Sequence, residues 1–308
     1  AIEFYEVCKK EGIKPIIGFE AFVAPRGMED KDAELDKTPY GLVLLAENYD
    51  GYRNLMTLSS QGHLKGFFND KPRIDKGLLR EYSKHIIALS GAIDGEIPQL
   101  LLQKKYADAK RVAEEYQDIF GKDYFYLELQ DHPAIAGQIE VNTQLVQLSK
   151  ETGIPLVATR DVHYLKPDDA EAQDILRCIS NGWKVHYTDR EDYRQVDRSF
   201  NTAEDIASRF RHIPEAIENT GKIADRINIE IALNNWHFAP VELPPNVTAD
   251  EHLRQEAYAC VGKYYDPVTD EIRERIEYEL EIIKTKGYSP YFICVADYVR
   301  YAKENGIV

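Results

Sequence analysis

Asp161 and His163 stand two residues apart, where the apolar run of PLVATRDVHYL (residues 155–165) gives out. Side chains two apart on a strand share a face. A carboxylate and an imidazole would therefore converge at the strand's carboxyl end, where α/β proteins build their sites. Such a pair suits a divalent metal, or an Asp that orients a catalytic His. The plainer alternative is an Asp capping a loop and a His packing on it. Glu20, flanked by Phe19 and Phe22, either needs a partner or points to solvent from an alternating strand. Glu128 and His132 bracket the end of YFYLELQDH, and loop capping is the preferred account of them. His63, His85, His186, His212, His237 and His252 have no carboxylate at a diagnostic spacing and read as surface or packing residues. GxGxxG, P-loop and GxSxG motifs are absent from the sequence.

The elements that must position these groups follow from pattern. Branched and aromatic runs predict strands over 14–25, 41–46, 85–91, 124–129 and 155–159. Helical spacing fills the gaps, over 2–11, 51–63, 96–103, 106–119 and 138–152. Alternating strand and helix imply a parallel sheet or barrel. GFFNDKPRID reads as a packed loop. After about residue 185 the character changes. HYTDREDYRQVDRS reads as a surface loop, followed by helices near 202–210 and 213–225. A connector stiffened by Pro244 and Pro245 leads to helices over 249–264, 268–286 and 290–304. This places a boundary near residue 235. On the last helices, Glu271, Arg275 and Glu279 form a solvated face, and Tyr288, Tyr291, Phe292, Tyr298 and Tyr301 are expected to pack in a core.

The bulk numbers narrow the classes. With 308 residues and 44% apolar content, the chain can build a substantial core. Lys and Arg total 38 against 53 Asp and Glu, a net charge of −15, which argues against a broad nucleic-acid surface. No apolar run is long enough to span a membrane, and the opening AIEFYEVCKKEG lacks the pattern of a signal peptide. Cys8, Cys178, Cys260 and Cys294 form no CxxC pair, so buried thiols in a reducing cytoplasm are expected.

Seven blocks then carry a resemblance. In order they are GIKPIIGFEAFVAP, GYRNLMTLSSQGHLKGFF, KPRID, GEIP, YLELQDH, GIPLVATRDVHYL and GYSPYFICVADYVRYAKENGI. Together they resemble the N-terminal part of the bacterial replicative DNA polymerase III alpha subunits, over essentially the whole chain. Residues 1–235 resemble the PHP (polymerase and histidinol phosphatase) domain. That implies an α/β fold, a distorted, TIM-like (β/α)7 barrel incomplete at its N-terminus, with a metal site at the strand carboxyl ends. Residues 236–308 resemble the helical start of the polymerase palm.

Carried over singly, Glu20, Asp161 and His163 fall on metal-ligand positions of the family. Gly41 and Ala92 fall where the family has His and Cys, and neither has a side chain that can ligate. The family's opening H-x-H and T-D-H-G are not in this sequence. The resemblance therefore implies zinc, manganese or iron binding that is weak or absent, and a PHP region serving mainly as a structural and docking module. The implied partners are the proofreading exonuclease subunit, other replisome subunits and, for the whole polymerase, DNA and magnesium, in the cytoplasm. The catalytic aspartates of the family are not in this sequence, so the chain itself is not expected to polymerise DNA. The alternatives are a metal-dependent phosphoesterase or 3′–5′ exonuclease, and a free-standing PHP protein.

Overall fold

Strand follows helix through most of the first 160 residues, as the buried apolar runs require. A computed structural model describes residues 1–187, 193–233 and 238–307. Its strands are β1 (Gly18–Val23), β2 (Tyr40–Ala46), β3 (Phe67–Phe68), β4 (Lys71–Ile74), β5 (Ile86–Leu89), β6 (Phe125–Gln130) and β7 (Leu156–Thr159). Among the described residues they form one sheet in the order β3-β4-β1-β2-β5-β6-β7. Helices α1 (Ile2–Lys10), α2 (Tyr49–Leu64), α3 (Lys76–Tyr82), α4 (Glu96–Leu102), α5 (Tyr106–Phe120) and α6 (Gln138–Thr152) lie between or before the strands. Helices α7 (Ala170–Asn181), α8 (Ala203–Arg209) and α9 (Pro214–Arg226) follow them.

Every residue of β5 and of β6 is buried, the mark of strands covered on both faces. The pairs β1–β4, β5–β6 and β6–β7 are parallel. Strand β2 is antiparallel to both of its neighbours, β1 and β5. An all-parallel sheet is thus not what forms. The connection is consistent with this: β1 reaches β2 through residues 24–39 without a helix, whereas the crossover between parallel strands is usually helical. Two reversals leave β1 running the same way as β5, β6 and β7, so their carboxyl ends share one side of the sheet.

GFFNDKPRID is not a loop. It is the β3–β4 hairpin, turning through Asn69 (φ 49°) and Asp70 (φ 57°), the left-handed pair that two-residue hairpins favour. Arg73 on β4 is fully buried. It donates to the carbonyls of Gly66, Met28 and Asp30 and lies over the Phe68 ring. A buried cation so satisfied ties the 24–39 connection to the sheet.

The chain divides into two units, Ala1–Ile231 and Ala232–Val308. The expected boundary at 235, with His237, lies outside the described residues, as do residues 188–192 of the segment read as a surface loop. The second unit holds α10 (Ala249–Val261), α11 (Asp270–Thr285) and α12 (Ser289–Glu304). Thr248 and Glu251 form a capping box at the start of α10. Tyr291, Phe292, Tyr298 and Tyr301 are exposed, against the expectation that they pack in a core, because three helices enclose little volume. Cys8 and Cys178 are buried, but Cys260 is exposed and Cys294 intermediate. None of the described helices is long and apolar enough to cross a membrane.

Candidate functional site

Glu20 projects from the middle of β1, paired in register with Val43 on β2. Gly41 sits at the amino end of β2, which the reversed strand brings beside the carboxyl ends of its neighbours. Ala92 and Asp94 follow β5, Glu128 lies on β6, and Asp161 and His163 follow β7. All of these line one cavity of about 500 Å3. The three residues expected to ligate metal and the two expected as lost ligands are therefore brought together.

The pleat is not what joins Asp161 to His163. β7 ends at Thr159 and both residues lie in the loop beyond it. They still meet, with His163 Nε2 2.8 Å from Asp161 Oδ1. The other carboxylate oxygen, Asp161 Oδ2, pairs with Arg198 Nη1. Arg198 had no signal in sequence, because it arrives from a loop 37 positions downstream of Asp161. It is 7% exposed. Burial lowers its pKa from the ordinary value, but a guanidinium keeps its charge in proteins.

Glu128 belongs to the site, although loop capping was the preferred account of it. The side chain is buried. Its Oε1 accepts hydrogen bonds from Gln130 Nε2 at 3.0 Å and from the Thr159 hydroxyl. Its Oε2 has no hydrogen-bond partner among the described residues. Burial pushes the Glu128 carboxyl above the ordinary carboxylate value; the Thr159 and Gln130 hydrogen bonds oppose this, and the nearby charges of Glu20 and Asp94 add to it. A carboxylate in the otherwise apolar FYLELQ was the signal available for it. His132 is buried but does not line the cavity.

Asp94 accounts for Gly41. A Cβ built on residue 41 would meet Asp94 Oδ2 at 2.7 Å. The Gly41 N–H donates to the Asp94 carbonyl at 3.2 Å, and Gly41 bridges Gly95. The turn after β5 thus closes over residue 41 and puts a carboxylate where a side chain would project. Among the described residues, no group of three or more His, Cys, Asp or Glu is arranged to hold a metal ion. The cavity is instead a mixed one, in which four carboxylates (Glu20, Asp94, Glu128 and Asp161) face the guanidinium groups of Arg160 and Arg198.

Comparison with known proteins agrees with this architecture. Residues 1–132 match the PHP domain family, and residues 251–308 match the bacterial DNA polymerase III alpha NTPase domain. Over 100% of its length the chain is 39% identical to a DNA polymerase III subunit alpha of Borreliella burgdorferi, covering 27% of that protein. It is 36% identical to the subunit of Treponema pallidum and 34% identical to that of Bacillus subtilis, again over its full length and covering 26% of each. The chain therefore spans about a quarter of the curated relatives it matches. Along its whole length the chain is similar to DNA polymerase III alpha subunits, and within its first unit residues 1–132 are similar to PHP domains.

Proposed function

We propose that the chain is part of a bacterial replicative DNA polymerase, and that its PHP region is a metal-independent scaffold on which the proofreading exonuclease subunit docks. On this reading residues 1–235 are the PHP domain and 236–308 lead into the palm. Synthesis of DNA, with its magnesium ions and template, belongs to the whole cytoplasmic polymerase and its replisome partners, and the chain taken alone does not polymerise.

The observation that carries the scaffold reading is the engagement of Asp161. One of its oxygens meets His163 and the other meets Arg198. Two members of the candidate ligand set, Asp161 and His163, thus spend facing atoms on each other. Gly41 and Ala92 offer none, and a fixed guanidinium opposes a second cation. Glu20, Asp161 and His163 as arranged do not fit a divalent ion. A docking scaffold has no need of one.

A phosphoesterase reading keeps one supporting observation, the convergence of Glu20, Asp161 and His163 on a single cavity. The two readings separate on metal content. After metal-free dialysis, elemental mass spectrometry of the purified chain is expected to find no zinc, manganese or iron near stoichiometry, and the exonuclease subunit is expected to bind in the presence of chelator. Near-stoichiometric metal, with manganese-dependent phosphodiester cleavage that His163→Ala abolishes, would establish the hydrolase instead.

A further inference from the structure

We infer that the Arg198 guanidinium is the built-in cation of this cavity, supplying to its carboxylates the positive charge that a metal ion would otherwise bring. The inference rests on the scaffold reading above and goes beyond it, since loss of ligands alone would leave four carboxylates facing one another. Like charges repel, and the charges of Glu20 and Asp94, both exposed at the cavity, act on the buried Glu128. Something must offset them. Arg198 ion-pairs with Asp161 inside the same cavity, with its side chain 8% exposed.

Its placement is fixed from several sides. The Arg198 N–H donates to the Tyr164 hydroxyl at 2.9 Å, and its carbonyl accepts from the His163 N–H at 2.9 Å. Ser199, the next residue, bridges Tyr164. On the other side, Arg160 Nη2 holds both the carbonyl and the carboxylate of Asp197 at 2.9 Å. Arg160, the second cation at the cavity, is thereby committed to the loop that presents Arg198. The segment after β7 and the segment around residue 198 are thus locked together, with the guanidinium delivered to Asp161. A planar, permanently charged, weakly hydrated group is the side chain best suited to this burial.

The test is hydrogen–deuterium exchange of the intact protein, read on peptides covering residues 18–23 and 156–164, with chelator and with manganese. Wild type is expected to exchange identically in both. Arg198→Met removes the charge and leaves Asp161 and its neighbours uncompensated, so these peptides are expected to exchange at least about tenfold faster in chelator. Manganese is expected to restore part of that protection. Arg198→Lys keeps the charge in a different shape. It is expected to stay within a few-fold of wild type and to ignore manganese, and it serves as the deciding variant if Arg198→Met does not fold. Unchanged exchange in Arg198→Met, or a manganese response in Arg198→Lys, overturns the inference alone. Manganese-slowed exchange in the wild type overturns both it and the scaffold reading.

Discussion

His132 shows how much a single buried group can shape this molecule. The residue is 2% exposed, and its Nε2 has no hydrogen-bond partner among the described residues. Burial, aided by the charges of Arg160 and Arg198, lowers its pKa from 6.5 to about 4, while Asp131 and Asp197 pull the other way. Between those two values the unfolded chain binds a proton that the folded chain refuses, so stability falls as the pH drops through this window. Above pH 6.5 the imidazole is neutral in both states and the contribution is complete. At about 1.4 kcal/mol per pKa unit the whole effect is on the order of 3.5 kcal/mol. Urea unfolding across this range is expected to show that slope in wild type and a flatter one in His132→Gln. An identical slope in the variant would mean that other groups carry it.

At the scale of elements, the turn between β5 and α4 crowds two glycines to different degrees. The clash awaiting a Cβ at Gly41 is with the end of the Asp94 side chain, and Asp94 is exposed and free to swing away. The clash at Gly95 is with backbone, the Ser90 carbonyl oxygen at 2.3 Å. Gly41→Ala should therefore cost less than about 1 kcal/mol, and Gly95→Ala about 2 kcal/mol or more, by the ordinary cost of overpacking. Chemical denaturation of the two variants checks the order, and equal costs would mean that the turn moves as a body. The same turn shows where sequence reasoning reaches and where it stops. Strands β1, β2, β5, β6 and β7 were legible because their apolar runs are long for their length and bounded by turn residues. β4 was not, because Lys71, Pro72 and Arg73 leave it no apolar run, and Arg73 is satisfied by carbonyls brought from residues 28, 30, 36 and 66. Helices α3 and α7 were missed too, α3 because seven residues give two turns and little periodicity. The site was half legible. Glu20, Asp161 and His163 carried signals of type and spacing, whereas Asp94 and Arg198 become partners of Gly41 and Asp161 only through folding.

At the scale of the whole chain, charge sets which surfaces this piece can offer. Fifty-three acidic residues against 38 basic ones leave −15, and the arginines of the candidate cavity are engaged by carboxylates, Arg198 by Asp161 and Arg160 by Asp197. On the second unit Arg254 pairs with Glu277, Arg275 with Glu279 and Arg300 with Glu256. Arginines committed to carboxylates release no counterions from a duplex, and counterion release is the main source of sequence-independent affinity. A scaffold for protein partners can tolerate such a surface, whereas a DNA-gripping module cannot. The chain taken alone is therefore expected to leave the fluorescence anisotropy of a labelled DNA duplex unchanged, even at low ionic strength. Each phosphate neutralised would steepen the log–log salt dependence by about 0.9. A measurable affinity whose slope corresponds to several phosphates would reveal a basic patch that these ion pairs do not neutralise, and would count against the scaffold reading.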